Sequence, residues 1–341
     1  MLTLSRFIFI TAIAGAVSAK QHQKKKSCHT SSSSTPEPTD VPGSGGVQAG
    51  EYSMSENWVG DSFYDGFDFW AYPDPTHGAV QYVDKDTALA NNLSYTSSNS
   101  LVLRADSSNK GGNRKSVRLH SKKKFTTHAA VFDVKHMPQG KATWPAYWTC
   151  GDNWPLQGEF DIIEGVDDSA SNLVSLHTGP NCQMPKSGLD MSGSATAWDC
   201  DASSKHSQGC SVRNTASQPF GPDFNSQGGG WYATERTDSS FKVWYWARND
   251  PNVPKDVRDN TGSASPSEWG QPTAAFMSSD SCDLSKQFGP HIFIINLTLC
   301  GDWAGGKFDG GKDACNSFVS DHPEAFKDAY WDINRLSVYE H

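Results

Sequence analysis

With 341 residues, 36% of them hydrophobic and 11% aromatic, the chain can bury one large core; all-β domains of this length are often single units. A formal net charge of −9 argues against nucleic acid as a partner and is compatible with a neutral polymer. Twelve tryptophans are many for this length. Indole rings stack on sugar faces, but most of the twelve are expected in the core.

Residues 1–19 have the pattern of a secretory signal peptide. Arg6 supplies the basic start, Phe7 to Val17 is a short apolar run, and Val17-Ser18-Ala19 is a small-residue cleavage site. That run is too short for a membrane anchor. No second apolar segment of about 20 residues follows, and Ser337 to His341 carries no lipid-anchor tail. The expectation is a secreted monomer, extracellular or cell-wall associated, with no membrane partner. Residues 20–50 pass from basic Lys20–Lys26 to Ser31-Ser32-Ser33-Ser34-Thr35-Pro36 and Gly43-Ser44-Gly45-Gly46, with almost nothing apolar. Such a stretch cannot offset its ordering entropy by burial, so it is expected to be a disordered linker, its lysines a solvated charge run.

Residues 51–341 read as all-β. Apolar and polar residues alternate in Ser100–Ala105 and Phe241–Arg248, and Gly, Pro, Asn and Asp punctuate the runs. Pro323 to Tyr330 is the one stretch expected to form a short helix. Many short strands with turn signals imply a sandwich or a barrel.

The most informative stretch is Gly158-Glu159-Phe160-Asp161-Ile162-Ile163-Glu164-Gly165. On a regular strand Glu159, Asp161 and residue 163 share a face, yet residue 163 is Ile and the third acid comes one position later. A single-residue β-bulge between Asp161 and Glu164 restores the phase and puts all three acids on one side. Two glutamates leaning together there have the arrangement a retaining glycosidase needs, with Asp161 between them to shift a neighbour's ionisation. The turn-like run Asp167-Asp168-Ser169-Ala170 follows. A hairpin centred near Asp168 makes Glu159 and His177 cross-strand neighbours, each nine residues from the tip.

The stretch resembles the E-x-D-x-x-E signature of glycoside hydrolase family 16, in the bulged form of laminarinases and related β-1,3(4)-glucanases. Phe63-Tyr64-Asp65-Gly66-Phe67, Asp74-Pro75-Thr76-His77-Gly78, Trp144-Pro145-Ala146-Tyr147-Trp148, Gly151-Asp152-Asn153-Trp154-Pro155 and Cys300-Gly301-Asp302-Trp303-Ala304-Gly305 are similar to secreted fungal members. The resemblance runs from about Glu51 to His341. It implies a jelly-roll β-sandwich of two curved antiparallel sheets with a concave substrate cleft. It also implies a retaining endo-β-glucanase acting on β-1,3 linkages, and on β-1,4 linkages next to β-1,3-linked glucose.

Under that reading Glu159 is the nucleophile, Glu164 the acid/base and Asp161 the assisting carboxylate. His177 lies beside the nucleophile, and Trp148, Trp154 and Trp303 are candidate sugar-stacking platforms. Trp231 is a weaker candidate; Trp58, Trp70 and Trp269 are not assigned. The alternatives are a transglycosylase passing the same covalent intermediate to a sugar hydroxyl, and a lectin that has lost catalysis. Both glutamates are present, which counts against the lectin. No cofactor or metal is expected at the site: the cysteines lack C-x₂-C spacing and the acids lack the further oxygen ligands of a calcium loop. A structural Ca²⁺ on the convex side, as some family members have, stays open.

A secreted chain with eight cysteines is expected to form disulfides. Cys28 falls in the linker, which leaves seven in the domain; Cys150 is expected to be a free buried thiol, with Cys200–Cys210 and Cys300–Cys315 as bridges. Two glycosylation sequons occur, at Asn92 and Asn296. Asn92 lies in a polar stretch and is expected to carry a glycan. Asn296 belongs to an apolar strand whose phase turns it toward the cleft, and is expected to stay bare.

Overall fold

A computed structural model describes residues 52–97, 99–203 and 209–341. The signal peptide expected at 1–19, the linker expected at 20–50 and Cys28 lie outside the described residues. Two antiparallel sheets dominate. One runs in the order Ser194–Ala197, Cys210–Arg213, Leu173–His177, Glu159–Glu164, Thr143–Gly151, His291–Leu299, Arg118–Ser121, Phe67–Phe69. The other runs Ser263–Ala264, Tyr52–Trp58, Tyr330–Glu340, His128–His136, Gly230–Arg236, Ser240–Ala247, Ala274–Met277, with the hairpin Ser94–Ser97/Ser100–Arg104 attached to Tyr330–Glu340. This is the jelly-roll sandwich that the family resemblance implies; the strand pattern alone left sandwich and barrel open.

The main core lies between the sheets. Phe132 of one stacks on Tyr147 of the other at 4.0 Å, and Phe241 meets Phe160 edge-on at 5.0 Å. Phe160, Ile162 and Ile163 are all fully buried in this core. Each contributes about 1.5–3 kcal/mol by leaving water. That inward pull on three residues turns the intervening acids outward.

Three local expectations need correction. Pro323 to Tyr330 is not a helix: a 3-10 turn spans Pro323–Phe326, and Tyr330 opens the long strand that pairs with Arg104. The helix lies just upstream, at Gly311–Asp321, anchored by buried Cys315 and Val319.

Cys150 is disulfide-bonded rather than free. The other six described cysteines pair among themselves, as Cys182–Cys282, Cys200–Cys210 and Cys300–Cys315, so its partner lies outside the described residues. Strand alternation explains its availability. Tyr147 faces the inter-sheet core, whereas Trp148 and Cys150 belong to a separate cluster on the outer face.

Trp231 does not line the acid cleft. It belongs to the other sheet, where Trp244, Trp246 and Trp269 form a separate buried layer with it. Its Nε1 donates to Asp133 Oδ2 at 2.9 Å and Arg248 lies over its ring at 4.0 Å. The ring of Trp70, left unassigned, lies 4.4 Å from the guanidinium of Arg118, a residue that lines the cleft.

Candidate active site

The acid strand Glu159–Glu164 pairs with Thr143–Gly151 on one side and Leu173–His177 on the other. Its register slips between Asp161 and Glu164 against one neighbour and between Asp161 and Ile163 against the other. This is the β-bulge that the acid spacing calls for. Because Ile162 and Ile163 both turn into the core, Glu159, Asp161 and Glu164 all line one cleft. Gly158, at φ +76°, makes the turn into the strand; a Cβ there would stand 2.3 Å from the Phe288 ring, so only glycine fits.

Beyond the acids the chain turns back at Asp167, at φ +55°. Asp167 and Asp168 accept from the backbone N–H groups of Ala142 and Gly140, each at 2.6 Å. The turn is thereby tied to the segment that enters Thr143–Gly151. The returning strand sets His177 directly opposite Glu159. Its Nε2 stands 3.2 Å from Asp161 Oδ2 and 4.0 Å from Glu159 Oε1. Glu159 and Asp161 are each only 2% exposed, while Glu164 is half-buried.

The neighbouring strand Thr143–Gly151 supplies two indoles at alternate positions of the same face. Trp144 Nε1 donates to Glu164 Oε1 at 2.9 Å. Trp148 Nε1 donates to Asn296 Oδ1 at 2.7 Å, and Asn296 Nδ2 donates to Tyr82 Oη at 3.2 Å. Asn296 thus faces the cleft and is 6% exposed. Trp154 is half-buried in the loop before the acid strand and packs against the Trp148 cluster. Trp303, also half-buried, meets Trp144 edge-on at 5.7 Å. Of the three expected tryptophans, Trp148 lines the cleft with the acids, whereas Trp154 packs on the Trp148 cluster and Trp303 on Trp144.

Trp144 donates directly to Glu164 of the acid row, and sequence reasoning gave it no role. Its signal was available, since residues 144 and 148 share a strand face. A second missed residue is Arg118. Its buried guanidinium lies 4.4 Å from the Trp70 ring and 5.0 Å from the Trp148 ring, and its Nε donates to His120 Nε2 at 2.8 Å. Burial weakens its hold on its proton, offset by attraction from Tyr82, Asp74 and Glu159. Burial, and then the Arg118 charge, keeps His120 neutral, well below the ordinary histidine range. Asp74 orders the rim, accepting from Gly78 N at 3.0 Å, Thr76 Oγ1 at 2.8 Å and Thr298 Oγ1 at 2.5 Å.

Glu159, Asp161 and His177 also offer one ligand atom each within 4.8 Å of one another. Three donors fall short of the six to eight that Ca²⁺ takes, and a cation there would occupy two carboxylates of the acid row. The same geometry suits proton and nucleophile chemistry: a deeply buried carboxylate, a more exposed carboxyl with a donor on one oxygen, and a third carboxylate linked to an imidazole.

A family model described as "XgeA-like, catalytic GH16 domain" matches residues 67–339. An endo-1,3(4)-beta-glucanase of Arthroderma benhamiae is 39% identical over 302 residues, covering 85% of this chain and 65% of that protein. The chain spans about half the length of several other curated relatives that it matches. Among solved structures, laminarinase 16A of Phanerochaete chrysosporium, with 6-O-glucosyl-laminaritriose in donor and acceptor sites, is 46% identical with a TM-score of 0.81. That match covers 85% of this chain and all of the other. An elongating family 16 β-1,3-glucosyltransferase is 38% identical with a TM-score of 0.77, covering 84% of this chain and 99% of the other.

Proposed function

The chain belongs to glycoside hydrolase family 16, and on that premise we propose that it is a retaining endo-β-glucanase. Its substrates are β-glucans such as laminarin and lichenan, cut at β-1,3 linkages and at β-1,4 linkages next to β-1,3-linked glucose. The observation that carries this reading is the bulged strand, which turns Glu159, Asp161 and Glu164 into one cleft beside His177 and Trp144.

In the first step a carboxylate oxygen of Glu159 attacks the anomeric carbon, and the bond to the leaving glycosidic oxygen breaks. Glu164 gives that oxygen its proton. Trp144 Nε1 can only donate, so Glu164 Oε1 accepts and the proton to be transferred sits on Oε2. In the second step Glu164, now ionised, takes a proton from water. The hydroxide displaces Glu159 from the anomeric carbon, and two displacements retain the β configuration. The buried Arg118 charge favours the ionised nucleophile. Asp161, hydrogen-bonding distance from His177 Nε2, holds the row of acids in a fixed orientation.

The glucosyltransferase relative favours one rival reading, in which a sugar hydroxyl replaces water in the second step. Product sizing on laminarin, lichenan and barley β-glucan in parallel separates the two. Hydrolysis yields only shorter chains; a transferase yields chains longer than the substrate. No cleavage of any of the three would overturn the glucanase reading. We further propose a secreted monomer whose polymer partner is the β-glucan, with neither nucleic acid nor membrane engaged. Three disulfides among the described residues suit an extracellular setting.

A further inference from the structure

Cys150 is disulfide-bonded, and the other six described cysteines pair among themselves. The chain has eight cysteines, so elimination leaves Cys28, outside the described residues, as the partner of Cys150. Cys28 follows the expected cleavage site after Ala19, so a secreted chain retains it. Closing the bond passes two electrons and two protons from the thiols to a disulfide-bearing oxidant, which leaves as a dithiol. The three described bridges require the same class of oxidant.

The place of Cys150 in the sheet decides what that bond does. Trp144, Ala146 and Trp148 of its strand line the acid cleft, and alternation carries Cys150 onto the same face. There it packs with Trp148, Ile292 and Trp154. In the register it stands directly opposite Glu159. Such neighbours have Cα atoms about 4.5–5.5 Å apart, and a disulfide joins Cα atoms within about 7 Å. Residue 28 is thereby fixed within about 12 Å of the Cα of the nucleophile.

The start of the described chain lies at the same end of the sandwich. Ser53 pairs with Glu340, whose carboxylate meets Lys123 at 2.7 Å. The adjacent Lys124 bonds Asp152, two residues beyond Cys150. Charge favours the same placement. Lys20, Lys24, Lys25 and Lys26 come just before Cys28, while Asp74, Glu159, Asp161 and Glu164 line the cleft.

We propose that a Cys28–Cys150 disulfide seats the chain's own N-terminal arm, residues 20–50, in the cleft, with its lysines against the acid row. On the glucanase reading, on which this rests, the arm competes with β-glucan for the cleft. A tether gives the arm a local concentration of the order of millimolar, so ion pairs that are weak one by one keep it seated much of the time. The apparent KM then exceeds the intrinsic one by the inverse of the fraction of molecules with an open cleft, and kcat is untouched.

Peptide mapping of the non-reduced secreted protein should yield one linked peptide joining residues 28 and 150. A free thiol at either position, or Cys150 joined to a second copy of the chain, overturns the proposal. At low ionic strength, Cys28→Ser/Cys150→Ser should lower the KM for laminarin about threefold or more with kcat unchanged. Lys24→Ala/Lys25→Ala/Lys26→Ala keeps the disulfide, serves if the cysteine variant does not fold, and should also lower KM. High salt should narrow both gaps by screening. Trypsin reads the seating without catalysis: cleavage after Lys24, Lys25 and Lys26 should be several-fold slower in the wild type than in the cysteine variant. Equal KM across the three forms, or equal trypsin rates, overturns the seating of the arm. No laminarin hydrolysis by any form, with trypsin protection intact, would instead count against the glucanase reading.

Discussion

Replacing Trp144 by Phe isolates the contribution of one donor to the acid/base. The indole is 8% exposed and its N–H reaches Glu164 Oε1 at 2.9 Å. A phenyl ring keeps most of the packing against Trp303, Val166 and Ala304 and removes only the donor edge. A hydrogen bond to an ionisable carboxyl is worth about 1.5–3 kcal/mol; Glu164 is half-buried, so the lower half applies. If the bond orients the proton of Glu164 in the transition state, about 1.5–2 kcal/mol is lost. That corresponds to a fall in kcat/KM on laminarin of roughly 10- to 30-fold. Initial rates on laminarin should be compared with those on an aryl β-glucoside bearing a dinitrophenolate leaving group. Such a leaving group departs without protonation, so its first step should slow less than threefold. An equal fall on both substrates, or no fall on laminarin, would refute the assigned role of Trp144.

The disulfides should differ in weight according to the loops they close. Cys182–Cys282 spans 100 residues and Cys300–Cys315 spans 15. Chain entropy assigns them about 4.7 and about 3 kcal/mol, so guanidinium unfolding should show the Cys182→Ala/Cys282→Ala variant to be the less stable; the reverse order would contradict this. His128, held at about 3 by burial, takes up no proton in the folded state where the unfolded chain does, near pH 6.5. Stability should therefore fall as pH drops from 6.5 toward 3, by about 1.4 kcal/mol per pH unit for each such histidine. Unfolding of His128→Gln between pH 6.5 and 4.5 should be less acid-sensitive by that amount; an unchanged slope would refute it. Glycopeptide mass spectrometry of protein secreted from a eukaryotic host should find Asn92, which is exposed, occupied. Asn296, tied to Trp148 and Tyr82, should be bare.

Much of the acid row was legible because strand alternation is strict. A third acid one position out of phase requires a bulge, and counting from Asp168 pairs Glu159 with His177. Both inferences use only the backbone repeat. What stayed hidden depends on contacts between segments distant in sequence. Arg118 lies under Trp148 only because His291–Leu299 separates their strands in the sheet. The bond from Trp144 to Glu164 crosses two strands whose offset is set by the bulge itself. Cys150 seemed buried in the core because its strand is apolar throughout, and an apolar run does not say which face a residue takes. The helix Gly311–Asp321 was legible in principle, since Cys315 and Val319 lie four apart, but its glycine start and polar composition obscured that short stripe.

The central claim, two displacements with Glu159 as nucleophile, is tested most directly by the configuration of the first product. Time-resolved proton NMR during hydrolysis of a laminari-oligosaccharide reads the anomeric signals before mutarotation mixes them. The β-anomer should appear first, with the α-anomer rising later at the rate of mutarotation. An α-anomer formed first would mean a single inverting displacement by water. That result would contradict the nucleophilic role of Glu159 and the close placement of Glu159 and Glu164 on which it rests.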